Sequence, residues 1–264
     1  MTSIKAAFTD AEGNRKKAFI PFITCGDPTI ATTEEAVVAM ACAGADLIEL
    51  GVPFSDPTAE GPVIQAANLR ALSGGVTTDD VFALVERLRA RGVAVPLCFM
   101  TYANVIYSYG MERFVARAAA AGVDGIILPD VPHEEKYEFS EPFAEAGIEL
   151  VSLIAPTSHE RIREIASDAA GFVYCVSSLG VTGVRSEITT DIGAMVELVR
   201  EATDVPVAVG FGISTPETAA AMAAKSDGAI VGSAIVKILA QYGEDAVPYV
   251  ADYVRAMADA VHNA

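Results

Sequence analysis

Eight times along this chain a short apolar run, rich in β-branched residues, gives way to a longer amphipathic one. The short runs fall at Ala18–Thr24, Asp46–Gly51, Val95–Thr101, Gly125–Leu128, Glu149–Ile154, Gly171–Val176, Val205–Gly210 and Gly228–Gly232. They are apolar at nearly every position and lack the alternation of a strand with one face in water. Such runs belong to strands buried on both faces of a parallel sheet. The amphipathic runs predict helices at Thr33–Ala43, Thr78–Arg91, Met111–Ala121, Glu134–Ala146, Ser158–Ala169, Ile188–Ala202, Thr215–Lys225 and Asp245–His262. Several open on a polar cap residue and stop at a glycine, as capped helices do. Alternation repeated this often fits a closed barrel better than an open sheet, and about 250 residues is the usual size of one barrel. The expectation is a single (β/α)8 TIM-barrel domain over residues 1–264, with an extra short helix, Ala234–Tyr242, before the last helix.

Composition narrows the function. Hydrophobic residues make up 52% of the chain, enough for a large core. No apolar run approaches the roughly 20 residues that span a bilayer. The opening Met1–Phe19 stretch is too polar for a secretory signal, so a soluble, cytoplasmic protein is expected. The formal charge of −17 argues against nucleic-acid binding, which needs a basic footprint. It also requires any anionic substrate to be captured locally, against the field of the whole chain. So acidic a composition fits a salt-adapted protein. The cysteines, Cys25, Cys42, Cys98 and Cys175, are widely spaced, and Cys42 and Cys98 read as reduced, packed thiols. The histidines His133, His159 and His262 form no ligand spacing, so no metal site is expected, and His262 reads as solvated.

Two stretches break the regularity: Pro53–Ser73 after the second strand and Ser177–Glu187 after the sixth. Long loops on the C-terminal face of a barrel are where function usually sits. The seventh strand ends Val-Gly-Phe-Gly-Ile-Ser, giving Gly210, Gly212 and Ser214, and the eighth ends at Gly232 and Ser233, directly before the extra helix. Glycines there let backbone N–H groups approach an anion, and the helix N-terminus adds partial positive charge. Together they predict a phosphate cradle, to which Gly183 could add a further N–H.

Glu49 lies inside the second strand, where a charge costs several kcal/mol unless it is paired or used. No strand supplies a basic partner, so a proton-carrying carboxyl with a raised pKa is expected. Glu60, in the loop that follows, reads on its own as an ordinary solvated carboxylate. Phe22, Tyr102, Tyr174 and Phe211 fall at four strand ends and together suggest a pocket for a flat aromatic ligand, with Thr182 in the loop after strand six. On these residues alone, another phosphate-binding barrel enzyme, such as an isomerase of a phosphoribosyl substrate, stays open.

The run Leu47–Gln65 resembles the signature of the tryptophan synthase α subunit family, as do Pro21–Pro28, Met100–Asn104, Leu128–Pro132, Gly180–Gly183 and Gly210–Ile213. The resemblance covers essentially the whole chain, in order. It implies a cofactor-free retro-aldol lyase that cleaves indole-3-glycerol phosphate to indole and glyceraldehyde 3-phosphate. It further implies an α2β2 complex in which indole passes to a β subunit carrying pyridoxal phosphate. By the same resemblance Glu49 is the general acid/base and Glu60 faces the indole N–H. Thr182 steadies that carboxylate, and Gly183, Gly212, Gly232 and Ser233 hold phosphate. Phe22, Tyr102, Tyr174 and Phe211 line the pocket, while the loop around Pro53 and Asp56 meets the partner.

Two positions depart from the family pattern. Glu60 replaces the usual aspartate, and an added methylene moves a carboxylate by about 1 Å, enough to cost roughly 100-fold in rate if the pocket does not adapt. Ser178-Leu179 replaces an arginine and a small residue before Gly180. A stand-alone lyase releasing free indole, and a mainly regulatory subunit that binds ligand but turns over little, are the readings these departures keep open.

Overall fold

The computed structural model describes residues 4–176, 191–210 and 212–264. Eight parallel strands close on themselves in chain order. They are β1 (Ala18–Thr24), β2 (Ile48–Gly51), β3 (Leu97–Met100), β4 (Gly125–Ile127), β5 (Glu149–Ile154), β6 (Ala170–Val176), β7 (Val207–Gly210) and β8 (Gly228–Val231). Around them run α1 (Ile30–Cys42), α2 (Pro62–Ser73), α3 (Thr78–Ala90), α4 (Ala103–Tyr109), α5 (Met111–Ala121) and α6 (Tyr137–Glu145). The ring continues with α7 (His159–Ser167), α8 (Ile192–Arg200), α9 (Pro216–Ala223), α10 (Ser233–Tyr242) and α11 (Val247–His262). The closed barrel, the helical ring and the extra helix α10 agree with the sequence reading.

Period-two geometry sorts each strand into an inner and an outer set. Ile20, Phe22, Leu47, Cys98, Met100, Ile127, Val151, Phe172, Tyr174, Ala208 and Ile230 belong to the inner cluster. The outer set packs with the helices in a second, larger cluster. A short 3-10 helix, Ile4–Phe8, closes the N-terminal end: its apolar side chains join the inner cluster, and Phe8 lies 5.8 Å from Phe172, ring centre to ring centre.

Three aspartates repeat one device at that end. Each sits just before a strand and accepts an N–H from a neighbouring strand: Phe19 to Asp46 at 2.8 Å, Leu97 to Asp124 at 2.9 Å, and Val207 to Asp227 at 2.9 Å. Each also meets cations. Asp46 takes Lys16 Nζ at 2.5 Å, Asp124 takes Arg89, and Asp227 takes Arg200 at 3.2 Å. Buried carboxylates of this kind persist only when paired and hydrogen-bonded.

Some expectations fail. Pro53–Ser73 is not one long loop, because α2 occupies its second half, with Pro62 at the first helical turn where a missing N–H costs nothing. A further helix, α4, follows β3, its first N–H received by the Asp130 carboxylate at 3.1 and 3.2 Å. Cys42 is exposed at the end of α1, not packed. His262 is not simply solvated: its Nε2 lies 2.6 Å from Asp46 Oδ2, joining the last helix to the bottom of the barrel. Among the described residues no helix is long and apolar enough to cross a membrane.

Candidate active site

Glu49 stands in β2 with Phe22 beside it on β1 and Cys98 beside it on β3. All three lie at inner positions, so the strand pleat aims Glu49 into the barrel. The residue is 1% exposed, and its Oε1 has no hydrogen-bond partner among the described residues. Burial pushes its carboxyl up to about 8, far above an ordinary glutamate. Tyr174, an inner residue of β6, is buried as well, and the Glu49 charge adds to the burial that lifts its phenol.

Glycines make room for the rings. A Cβ on Gly51 would lie 2.6 Å from Phe22 Cζ, and one on Gly210 would lie 2.5 Å from the Tyr174 hydroxyl. A Cβ on Gly232 would meet Phe22 Cδ1 at 3.2 Å. The glycines at the ends of β2, β7 and β8 therefore serve aromatic packing at the mouth, a role not legible from the sequence motif.

Glu60 is buried, 5% exposed, and its Oε2 accepts a hydrogen bond from the Tyr102 hydroxyl. The same hydroxyl accepts the Ala59 N–H at 3.2 Å. Gln65 Nε2 donates to the Glu60 carbonyl at 2.8 Å, and the Phe54 ring lies 5.2 Å from that of Tyr102. The carboxylate that on its own read as solvated is thus enclosed, and Tyr102, two residues past β3, orients it. Desolvation raises its pKa, the Tyr102 bond lowers it, and the charge of Asp130 raises it further. Downstream, α2 is fixed by Arg70, which donates from Nε and Nη2 to both oxygens of buried Asp27, each at 2.7 Å.

Across the mouth, α10 begins at Ser233 with Gly232 as its cap residue and no side-chain cap. Side chains cap α1, α3, α7, α8 and α9, while α2, α5, α6 and α11 begin, like α10, without one. The first N–H groups of α10 are left for another acceptor. Gly212 adopts φ 78°, open to glycine and costly to other residues. Pro53 and Asp56 sit at the rim, Pro53 half-buried and Asp56 exposed, with Ser55 Oγ donating to Asp56 at 2.5 Å. Thr182, Gly183, Phe211, Ser178 and Leu179 lie outside the described residues. Sequence reading missed two apolar inner residues, Met100 and Leu153, that line the same cavity as Glu60. Strand parity could have found them, since they share the inner phase of Phe22 and Tyr174. Among the described residues no three His, Cys, Asp or Glu side chains are grouped to hold a metal.

A closed (β/α)8 barrel with a protonatable carboxyl buried in its mouth, a second enclosed carboxylate and an uncapped helix N-terminus after β8 defines a barrel enzyme for proton-transfer chemistry on an anionic substrate. Known proteins narrow that class. A family profile described as tryptophan synthase alpha chain matches residues 8–262. The tryptophan synthase alpha chain of Geobacter sulfurreducens is 47% identical, with 100% of both chains covered, and that of Lacticaseibacillus casei is 48% identical over 87% of this chain and 86% of its own. Among solved structures, the alpha chain of Legionella pneumophila aligns with a TM-score of 0.89 at 36% identity, covering 100% of this chain and 98% of that one. A chain of the tryptophan synthase complex of Pyrococcus furiosus aligns with a TM-score of 0.84 at 36% identity, covering 92% and 98%. The chain belongs to the tryptophan synthase alpha chain family. It is a carbon–carbon lyase of the α reaction, which cleaves indole-3-glycerol phosphate to indole and glyceraldehyde 3-phosphate.

Proposed function

We propose that Glu49 carries both proton transfers of this cleavage and that Glu60 stabilises the charge that forms between them. The observation that carries the reading is the buried carboxyl of Glu49, whose Oε1 has no hydrogen-bond partner among the described residues and whose pKa burial pushes up to about 8. Its acid form donates a proton to C3 of the indole ring, which places positive charge on the ring nitrogen. The carboxylate of Glu60 faces that N–H, and a fixed anion there lowers the barrier. Glu49, now a carboxylate, accepts the proton of the adjacent glycerol hydroxyl. The C–C bond breaks as the C=O of glyceraldehyde 3-phosphate forms, and the bonding pair returns to C3 to restore neutral indole. The proton count closes without an external acid or base.

Phe22, Tyr102, Tyr174 and Phe211 line the indole pocket, and Thr182 steadies the Glu60 carboxylate. Gly183, Gly212, Gly232 and Ser233 hold the phosphate, with the N-terminus of α10 supplying N–H donors. The α reaction runs without a cofactor in a single domain, 1–264. The rim around Pro53 and Asp56 meets a tryptophan synthase β subunit in an α2β2 complex, which takes up the indole and carries the pyridoxal phosphate. The setting is cytoplasmic.

Indole release from indole-3-glycerol phosphate is the test. Glu49→Gln should lose about 100-fold to 10,000-fold in kcat. Glu60→Asp withdraws the carboxylate from Tyr102 and should lose about 10- to 100-fold, because this pocket is built for the longer acid. An active Glu49→Gln would remove the acid/base assignment. A faster Glu60→Asp would mean that the extra methylene impairs the site.

A further inference from the structure

The barrel wall has an opening beside the ring pocket. Pairing between β4 and β5 runs only over Gly125–Glu149, Ile126–Leu150 and Ile127–Val151. After Ile127 the chain leaves the barrel through Leu128 and Pro129, and a proline has no N–H to extend the ladder. The upper half of β5, Ser152–Ile154, thus has no β4 partner, although it pairs with β6 up to Ile154–Cys175 after a register shift between Val151 and Ser152. One cavity of about 320 Å3 is lined by inner residues of β5, Val151 and Leu153, and also by its outer residues, Leu150 and Ser152. A space lined by both faces of one strand passes through the wall. At its inner end stand Glu60 and Met100, and at its outer end Ile165 of α7.

The outer end cannot readily take an anion. All three protons of Lys136 are used, on Ser152 Oγ at 3.1 Å, Asp168 O at 2.9 Å and Asp168 Oδ1 at 3.1 Å. Arg161 is held bidentately by Glu134 at 2.5 and 3.0 Å. What remains is the apolar surface of Leu128, Leu150 and Ile165, beside the His133 ring, whose Nδ1 has no hydrogen-bond partner among the described residues and lies 3.8 Å from the Asp168 carboxylate.

We propose that this wall opening is a lateral subsite for apolar substituents on the six-membered ring of the substrate's indole, at C5 and C6. The inference rests on the reading of Glu49 and Glu60 given above. N1 and C3 both belong to the five-membered ring, so with N1 at Glu60 and C3 toward Glu49 the C5–C6 edge points away from both acids. Among the described residues the cavity runs from Glu60 toward β4, β5, the end of β6 at Val176, and α7. C7, next to N1, faces the Glu60–Tyr102 pair and has no such room.

The reaction is reversible, so the full chain can be assayed in the condensation direction, joining glyceraldehyde 3-phosphate to indole or to bromoindoles. We expect kcat/KM for 5- and 6-bromoindole within about threefold of indole, and for 7-bromoindole a loss of about tenfold or more. Ile165→Phe, filling the outer end, should lower the ratio of 5-bromoindole to indole turnover about tenfold. Anomalous diffraction from a crystal soaked with 5-bromoindole should place bromine between Leu128 and Ser152. Loss of 5- and 6-bromoindole with indole still active would overturn the subsite and leave the lyase roles standing. Inert indole would instead overturn those roles. In that case the bromine position still decides the subsite, and bromine anywhere else refutes it.

Discussion

At the scale of single residues, the site depends on a carboxyl buried inside the barrel. The ordinary pKa of glutamate is 4.5, and burial holds Glu49 up to about 8. A folded pKa above the unfolded one means the folded state keeps its proton longer, so the associated stability is complete below about 4.5 and is lost as pH rises through about 8. Glu49→Gln removes that slope. Urea unfolding near pH 5 and near pH 9 should find the variant gaining on the parent at the higher pH, by a few kcal/mol at most. Equal differences at both values would show that Glu49 is not destabilised by its charge. In the same range kcat/KM should fall above about pH 8 as the donor form disappears. Glu49 was legible in the sequence because a lone acid inside an apolar strand demands an explanation. The enclosure of Glu60 was not, since nothing in a loop sequence says that Tyr102 reaches across to it. Its burial follows from where Tyr102 falls relative to loop two.

At the scale of elements, the eight strands and their order could be read from apolar runs and glycine stops, while helix α4 and the true extent of α2 could not. Their placement depends on tertiary partners: the Asp130 carboxylate receives the first N–H of α4, and the Arg70–Asp27 pair holds the last turn of α2. The three aspartates under the barrel are a device of this same order. Each joins two strands and neutralises a cation, so losing one leaves a strand N–H without its acceptor and takes a buried carboxylate away from a basic group. Asp124→Ala, which removes the counter-charge of Arg89 and the acceptor of the Leu97 N–H, should cost about 3 to 5 kcal/mol in chemical denaturation. An exposed pair such as Arg255–Asp252 should contribute below about 1 kcal/mol. Similar costs at the two places would show that the strand link adds nothing to the ion pair.

At the scale of the whole molecule, a charge of −17 surrounds a site built for an anion. Self-repulsion opposes the compact state and is screened as the Debye length shrinks to about 3 Å at 1 M salt. The melting temperature should rise between low and molar KCl, and a flat or falling curve would show that surface ion pairs such as Arg91 with Glu34 and Glu35 already offset the excess. The glycine slots beneath Phe22 and Tyr174 have a consequence for how such a barrel changes over generations. Position 51 is closed to any side chain while the ring at 22 stands, and position 210 while the ring at 174 stands. Neither partner can be exchanged for a bulkier residue alone. The accessible route is a paired exchange, a smaller side chain at 22 or 174 opening the way for a larger one at 51 or 210. Libraries that vary one position at a time will find positions 51 and 210 frozen, and libraries that vary them together with 22 and 174 will not.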